Sequence, residues 1–213
     1  GIARFDGSSW TAYKEMGGIP FDVSPGMYTR QFAIAPNGDT WVGTDRGIAR
    51  FDGKSWKRFT SSDGMPEIAI NVLACAKNGD VWAGTPDGPA RFDGTAWKTY
   101  SSADGIVLGP TTYSRSLCSR LAVGPDGRVW SAAGGTAGNM KTFMYDIMSL
   151  SCFDGTKWTN RGEYSRGISQ LGILKDGTIW ALMYPAMGPG TYLTLYDGTS
   201  WSEINTSVIT KSY

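Results

Sequence analysis

The sequence predicts an all-β protein built from repeated units of four antiparallel strands. Three observations predict it: a string ending in tryptophan that recurs along the chain, an Asp-Gly or Asn-Gly pair inside each string, and no stretch of sustained helical periodicity. The chain has 213 residues, a length that suits one domain with a substantial core. We therefore interpret residues 1–213 as a single domain.

Two strings alternate along the chain and together contain all nine tryptophans. The first, Phe/Tyr-Asp-Gly-x-x-Trp, begins at Phe5, Phe51, Phe92, Phe153 and Tyr196. The second, Asn/Asp-Gly-x-x-Trp, begins at Asn37, Asn78, Asp126 and Asp176. An Asn-Gly or Asp-Gly pair between apolar segments is a strong hairpin signal, because the tight turn needs positive φ. Each period therefore contains two hairpins, or four short strands.

A four-stranded unit of about 40–45 residues is typical of a β-propeller blade. We place the blades at residues 1–13 (partial), 30–60, 70–100, 118–160 and 167–204. Five blades are favoured, with the blade at the chain ends incomplete, because residues 1–13 supply just the last two strands of a blade. Either the chain is a fragment, or residues 207–213 form a reduced inner strand beside residues 1–6.

The repeat also assigns structural roles to single residues. The tryptophans are expected to pack one blade on the next, since their strict period suits a core better than a binding site. The Asp and Asn residues of the turns are interpreted as turn chemistry. Arg4, Arg50 and Arg91, which precede three Phe-Asp-Gly strings, are expected to pair with aspartates between blades. For Cys118 and Cys152 free thiols are favoured over a disulfide, because a strand separates the two strands that carry them.

Composition argues against several classes of function. Twenty Lys and Arg balance 19 Asp and Glu, which disfavours a DNA or RNA binder that relies on bulk charge. Histidine is absent, which removes the commonest general base and the commonest zinc ligand. No apolar run reaches the length of about 18 residues that a membrane span needs, and no signal peptide is visible.

The binding face is expected where the connections between strands are long and irregular, since variable loops on a rigid scaffold carry binding residues. On that face each inner strand starts at the rim of the central channel, at Thr29-Arg30-Gln31, Ile70-Asn71-Val72, Cys118-Ser119-Arg120 and Ile168-Ser169-Gln170. These triplets contain no carboxylate, so they suit binding better than acid–base catalysis. No catalytic or metal-ligating residue is predicted. The predicted ligand-binding residues are Tyr28, Arg30, Asn71, Tyr113, Arg115, Arg120, Gln170 and Tyr184.

The residue types at this rim indicate a class of ligand. Arg30 and Arg120 favour an anionic or carboxylate-bearing molecule through forked hydrogen bonds, and the equal alternative is that they pair with loop acids such as Glu67 or Glu163. Tyrosine beside Asn, Gln and Arg is a common wall for sugars. We therefore expect a binding or sensing protein for a small glycan or anionic molecule, rather than an enzyme.

Two alternatives stay open. One is a hydrolase or lyase that uses carboxylates of the upper loops, with calcium as its one candidate cofactor; otherwise no cofactor is expected. The other is a protein-interaction scaffold. The expected partner is a small-molecule or glycan ligand, with no nucleic acid and no membrane segment in this chain.

Two segments resemble the two-component-regulator propeller repeat: residues 41–56 and residues 82–97, which both begin with Trp-x-Gly-Thr and end with Phe-Asp-Gly-x-x-Trp. Residues 62–66, Ser-Asp-Gly-Met-Pro, resemble the linker between repeats of that family, and the resemblance weakens from residue 130 onward. It implies a bacterial, periplasmic or extracellular propeller that senses a ligand, with a signalling partner domain outside these residues. The more distantly similar streptogramin lyases depend on a histidine and a metal, so their activity does not carry over.

Overall fold

A computed structural model describes residues 2–20, 29–65, 69–108, 117–137, 145–164, 166–185 and 192–204. Within these ranges the secondary structure consists of twenty β-strands and two single turns of 3-10 helix. Four sheets have four strands each, and two further strand pairs form separate hairpins. No helix in the described ranges has the length and apolar character needed to cross a membrane. The prediction of an all-β fold with four-stranded antiparallel sheets is confirmed.

Within each sheet, every strand pairs antiparallel with the strand that precedes or follows it in the chain. The N-terminal hairpin contains β1 (Ile2–Phe5) and β2 (Trp10–Tyr13), and a small hairpin of β3 (Glu15–Met16) and β4 (Ile19–Pro20) follows it. Sheet I contains β5 (Thr29–Ile34), β6 (Thr40–Thr44), β7 (Gly47–Phe51) and β8 (Trp56–Phe59). Sheet II contains β9 (Val72–Cys75), β10 (Val81–Thr85), β11 (Gly88–Phe92) and β12 (Trp97–Thr99). Sheet III contains β13 (Leu117–Val123), β14 (Val129–Ala137), β15 (Tyr145–Phe153) and β16 (Trp158–Tyr164). Sheet IV contains β17 (Arg166–Ile173), β18 (Ile179–Pro185), β19 (Tyr192–Tyr196) and β20 (Trp201–Ile204).

An aspartate organises the turn in each Phe/Tyr-Asp-Gly-x-x-Trp string. The carboxylate of Asp93 accepts hydrogen bonds from the Thr95 hydroxyl at 2.6 Å, the Ala96 N–H at 3.0 Å and the Thr95 N–H at 2.9 Å. These bonds, the hydroxyl first, stabilise the charged form and lower the pKa of Asp93 to about 2. The next residue, Gly94, has a φ of 100°, which a side chain would strain. The interpretation as turn chemistry is confirmed, since the same two backbone bonds occur at Asp6, Asp52, Asp154 and Asp197.

Successive sheets pack face to face through aromatic rings. Between sheets I and II, Trp41 of β6 meets Phe92 of β11 with 5.2 Å between ring centroids, and Trp97 of β12 meets Trp41 edge-on at 5.8 Å. Between sheets II and III, Trp82 and Trp158 repeat the edge-on contact at 5.8 Å. The first strands β5, β9, β13 and β17 contact one another in that order. This arrangement fits consecutive blades of a propeller.

The burial of the tryptophans follows their place in this stack. Trp41, Trp82, Trp97, Trp130 and Trp158 are at most 5% exposed, and the expectation that they pack between sheets is confirmed. It is wrong for Trp10 of the N-terminal hairpin, which is 71% exposed. Its ring lies on a face that no sheet covers within the described residues.

The connections from sheet I to II and from sheet II to III begin with ordered turns. Each contains one turn of 3-10 helix, Ser61–Asp63 and Ser102–Asp104, capped by its own aspartate. A buried apolar residue, Met65 or Ile106, follows and anchors the connection in the core. The expectation of irregular loops is therefore wrong for residues 61–65 and 101–106.

The repeated arginine pairs with an aspartate of its own sheet. Arg50 Nε lies 3.6 Å from Asp39, and Arg91 Nη2 lies 2.9 Å from Asp80. Both aspartates lie in the turn between the first and second strands, and the register places each arginine opposite the tryptophan that follows this turn. The expected pairing between blades is wrong, because the turn of the same sheet is already within reach.

All three cysteines are free thiols. Cys118 and Cys152 lie on β13 and β15, with β14 between them, as the favoured interpretation requires. Burial raises the pKa of Cys118 to about 12 and the pKa of Cys152 to about 11. Both therefore act as apolar core residues at neutral pH.

Candidate functional site

Three of the four first strands have the same irregularity near their starts. One residue of the first strand has no partner on the second strand there, which defines a β-bulge. The register shifts between Thr29 and Gln31 in sheet I, between Cys118 and Arg120 in sheet III, and between Ile168 and Gln170 in sheet IV. The bulged residues are Arg30, Ser119 and Ser169.

The bulges bring polar residues to one edge of the sheet stack. A bulge bends its strand and re-aims a side chain, which regular pairing would not do. In sheet II the corresponding residue is Asn71, immediately before β9, whose N–H donates to the Gly84 carbonyl at 2.8 Å. We call Arg30, Asn71, Ser119 and Ser169, together with Arg120 and Gln170, the first-strand edge.

Arg120 links sheet III to sheet IV at this edge. Its Nε donates to the Ser169 carbonyl oxygen at 2.5 Å, and its Nη1 donates to the Ser119 carbonyl oxygen at 2.7 Å. Both carbonyls belong to bulged residues, where the regular ladder of strand hydrogen bonds is interrupted. The guanidinium therefore fixes two neighbouring bulges relative to each other.

The alternative role of Arg120, pairing with a loop acid, is not seen within the described ranges. Glu163 lies in β16 opposite Ser149 and is exposed, and Glu67 lies outside the described residues. Carbonyl oxygens accept hydrogen bonds from two of the guanidinium N–H groups, and no carboxylate of the described ranges pairs with its charge. Such a charge attracts an anion.

Asn71 adds a buried donor to the edge. Its Nδ2 has no hydrogen-bond partner among the described residues. An unpaired buried donor costs about 1–3 kcal/mol, so an oxygen atom placed against it would be stabilising.

The remaining predicted residues lie at the same edge of sheet IV or outside the description. Gln170 is exposed at the bulge of β17, and Tyr184, 38% exposed, lies opposite Gly167 on β18. Tyr28, Tyr113 and Arg115 lie outside the described residues, and the structure describes the backbone alone of Arg30.

The chemistry of the first-strand edge is that of hydrogen-bond donors. It offers amides, hydroxyls and a fixed guanidinium, and none of its six residues is a carboxylate. No group of three His, Cys, Asp or Glu side chains that could hold a metal ion occurs in the described part of the chain. This donor set suits the binding of an oxygen-rich ligand, whereas acid–base catalysis needs a group that titrates near the working pH.

One feature that the sequence interpretation missed is an apolar groove between the N-terminal hairpin and sheet I. Its lining includes Phe32 and Ile34, which are 70% and 64% exposed.

No protein-family model and no curated protein matches the chain. Among solved structures, the extracellular domain assigned to a hybrid two-component system of B. thetaiotaomicron has a TM-score of 0.59 and 16% identity, over 86% of this chain and 22% of that chain. A second such domain from the same organism has a TM-score of 0.51 and 15% identity, over 72% of this chain and 20% of that chain. PorZ, a surface component of the type-IX secretion system of Porphyromonas gingivalis, has a TM-score of 0.55 and 14% identity, over 99% of this chain and 30% of that chain.

The chain thus spans between 20% and 30% of the length of these solved structures. At such identities the likeness is one of fold. It agrees with the four consecutive four-stranded sheets described above.

Proposed function

We propose that this chain is the ligand-sensing part of a bacterial β-propeller that works outside the cytoplasm. The propeller has five blades: sheets I to IV, and an incomplete blade that contains the N-terminal hairpin. The ligand is a small glycan or an anionic small molecule, and it binds at the first-strand edge.

The observation that carries the proposal is the pair of bulges that Arg120 joins. In a propeller the inner strands surround a central channel, so bulges at their starts would direct polar groups toward the channel mouth. Arg120 joins the bulges of sheets III and IV through hydrogen bonds to their carbonyl oxygens, and no carboxylate among the described residues pairs with it. A charged side chain that bonds to backbone carbonyls in this way fits a site that must keep its shape for a ligand.

The ligand class follows from the donors. Arg30, Arg115 and Arg120 would meet carboxylate oxygens, and Asn71 and Gln170 would meet hydroxyl groups. The tyrosines Tyr28, Tyr113 and Tyr184 would supply flat faces for a sugar ring. A glycan that contains a uronic acid combines all three requirements.

The solved structures support the sensing role and the location. Two of them are extracellular domains of proteins assigned to two-component systems, and a third is a surface component of a secretion system. A signalling partner domain outside these residues would turn ligand binding into a response.

A thermal-shift panel tests the proposal. The probes are neutral oligosaccharides, oligosaccharides with uronic acids, and calcium or magnesium alone. At a concentration of about 100 times Kd a specific ligand stabilises by about 2.7 kcal/mol, which raises Tm by roughly 5 °C or more in a chain of this size. We expect this rise for the uronic-acid probes and no rise for the metals.

Variants test whether the rise in Tm arises from binding at the first-strand edge. Arg30→Ala and Gln170→Ala should remove the rise while the Tm without ligand changes little. Lys175→Ala, in the turn after β17 and away from Gln170, is the matched control and should respond like the unchanged chain. Stabilisation by calcium that Glu163→Gln removes would favour a metal-dependent hydrolase or lyase. No response to any probe would leave the scaffold function.

A further inference from the structure

A cavity of about 250 Å³ lies between sheets III and IV, beside the turns that follow β13, β17 and β19. Its charged lining residues are Asp126, Arg128, Asp176 and Asp197, and its apolar ones include Trp130, Ile173 and Ile179. We call it the turn cavity. The first-strand edge lies at the starts of β13 and β17, whereas the turn cavity lies at their ends, so the two sites are separate.

In sheet II an arginine of the repeat has the corresponding place. The guanidinium of Arg91 lies 5.9 Å from the centroid of the Trp82 ring. Its Nε donates to the Asp80 carboxylate at 2.9 Å, and its Nη2 lies 2.9 Å from the same oxygen. Arg91 is opposite Trp82 in the register, so the two side chains lie on one face of the sheet. A planar cation thus lies beside this indole and pairs with an acid of the turn.

Sheet III lacks that cation. Cys152 has the position of Arg91, opposite Trp130 in the register, and Arg128 has the position of Asp80. The cysteine side chain is much shorter than that of arginine and ends in the core, where it is 2% exposed. The turn cavity adjoins Trp130 and Arg128, the counterparts of the two residues that Arg91 contacts. The cavity therefore lies where the repeat would place its arginine.

The charges around the turn cavity are not balanced. Arg128 Nε lies 3.4 Å from the Asp126 carboxylate, and its side chain is 57% exposed, so this arginine faces the solvent for the most part. No cation among the described residues pairs with Asp176 or Asp197. Three carboxylates against one guanidinium attract a cation and repel an anion.

Two of the carboxylates are fixed in place by their turns. Asp197 Oδ1 accepts the N–H groups of Thr199 and Ser200 at 2.8 Å each, and Asp176 Oδ1 accepts the N–H of Thr178 at 2.9 Å. The backbone bonds, that of Ser200 first, lower the pKa of Asp197 to about 2, so this carboxylate is ionised at neutral pH. A carboxylate has about four acceptor sites, so each can accept further hydrogen bonds from a ligand.

The lining favours a guanidinium over an ammonium group. A guanidinium is planar and weakly hydrated, lies well against an indole, and donates to carboxylates in a fork, whereas an ammonium is strongly hydrated. The volume favours a small group, since sites for drug-sized ligands have roughly 300–1,000 Å³. The internal precedent is Arg91, whose guanidinium meets an indole and a carboxylate together.

We infer that the turn cavity binds the guanidinium group of a ligand, in the place that Arg91 has in sheet II. The guanidinium lies beside the Trp130 ring and donates to the carboxylates of Asp176 and Asp197. Its source is an arginine side chain of a peptide or a free guanidino compound, since both present the same group.

An NMR titration of ¹⁵N-labelled protein tests the inference, with Trp130→Phe identifying the indole N–H signal of Trp130. The probes are ethylguanidinium, a blocked alanine–arginine–alanine peptide, and the same peptide with citrulline, whose ureido group is neutral but similar in shape. We expect the Trp130 signal to move saturably with the first two probes and to stay in place with the third. Tighter binding of the arginine peptide would assign a peptide source and equal binding a free cation, and both results support the site.

Variants test whether the carboxylates of the turn cavity hold the probe. Asp197→Asn should weaken binding about two- to fivefold, the usual effect of one exposed charge pair. Asp154→Asn is the matched control, because Asp154 makes the same backbone bonds in the corresponding turn of sheet III but does not line the cavity. Asp176→Asn should weaken binding by a similar factor and keeps its turn, since asparagine has this position in sheets I and II.

Removal of the cavity's own cation should act in the opposite direction. Arg128→Met releases Asp126 from its ion pair and should strengthen binding about two- to fivefold. A Trp130 signal that stays in place with both cationic probes, or that moves equally with the citrulline peptide, overturns the inference. Binding that neither Asp176→Asn nor Asp197→Asn weakens, or that Arg128→Met weakens, overturns it as well.

Discussion

The hairpins depend most directly on aspartates whose carboxylates accept hydrogen bonds from the backbone of the turns. In each Phe/Tyr-Asp-Gly-x-x-Trp turn the aspartate accepts hydrogen bonds from two backbone N–H groups. The ionised form makes these bonds best, and they lower the pKa of Asp93 and of Asp197 to about 2. The stability of these turns therefore depends on pH.

Acid should destabilise the fold between about pH 4 and pH 2. The pKa of Asp93 is about 2 in the folded protein against an ordinary value of 3.8, so the folded state binds fewer protons in this window. Its stabilisation is complete above pH 3.8 and is lost as the pH falls through about 2. Melting curves should show a Tm difference between the unchanged chain and Asp93→Ala that shrinks in this window.

The control for this experiment is Asp87→Ala. The Asp87 carboxylate has no hydrogen-bond partner in the described ranges, so its removal should change Tm little at any pH. A Tm difference for Asp93→Ala that stays constant down to pH 2 would contradict the role given to the turn carboxylates.

Arg120 should contribute more to stability than an ordinary surface arginine. Hydrogen bonds from a charged group contribute about 1.5–3 kcal/mol, and Arg120→Met removes two that join sheets III and IV. Arg128 of the same sheet pairs with Asp126 on the surface, where such a pair contributes about 0–1 kcal/mol. Urea unfolding of Arg120→Met and Arg128→Met should reproduce this order, and equal losses would count against the link.

Among the elements, the second strands control how closely two sheets approach. A Cβ at Gly84 of β10 would lie 2.5 Å from the Cys118 carbonyl oxygen and 2.5 Å from Val72 Cγ1. At Gly43 of β6 the nearest atoms belong to the Ile70 side chain, at 2.5 Å and 2.7 Å. Glycine in the Trp-x-Gly-Thr segment therefore lets the first strand of the next sheet cross directly over it.

Gly84→Ala should destabilise the protein by about 1–3 kcal/mol, the usual cost of overpacking a core. Gly43→Ala should cost a similar amount, because its Cβ would lie 2.7 Å from the Cβ of the fully buried Ile70, which rotation of that side chain does not move. Equilibrium unfolding measures both losses. A variant as stable as the unchanged chain at either position would show that the sheets can separate freely.

Local signals made the hairpins predictable. Asp93 and Gly94 specify a turn from two adjacent residues, and Trp97 marks the strand that follows. The in-sheet pair of Arg50 with Asp39 was placed wrongly, because it depends on a register that two separate hairpins define together. The ordered turn at Ser61–Asp63 was missed, although Thr60 and Asp63 form the kind of cap that sequence can signal.

The candidate site was predictable in its position more than in its geometry. Alignment of the repeat placed Asn71, Ser119 and Ser169 at corresponding points of the first strands. The bulges could not be foreseen, since a bulge changes the count of paired residues without changing the alternation of residue types. The link from Arg120 to the Ser169 carbonyl joins residues of different repeats, which no pattern within one repeat encodes.

Across the whole molecule, one packing arrangement recurs from interface to interface. Trp41, Trp82 and Trp130 each lie on a second strand and pack against an aromatic residue of the next sheet. The arrangement makes each sheet a platform for the next, and the first-strand edge is held in place as a consequence. The N-terminal hairpin departs from it, because Trp10 is exposed.

Hydrogen exchange of the tryptophan indole N–H groups tests this packing most directly, since nine separate signals report on nine positions in the stack. After transfer of ¹⁵N-labelled protein to D₂O, the signal of Trp10 should vanish first. The signals of Trp41, Trp82, Trp97, Trp130 and Trp158, all at most 5% exposed, should persist longest. Nine signals that vanish together, or a Trp10 signal that outlasts those of Trp41 and Trp82, would contradict the stacked arrangement of the sheets.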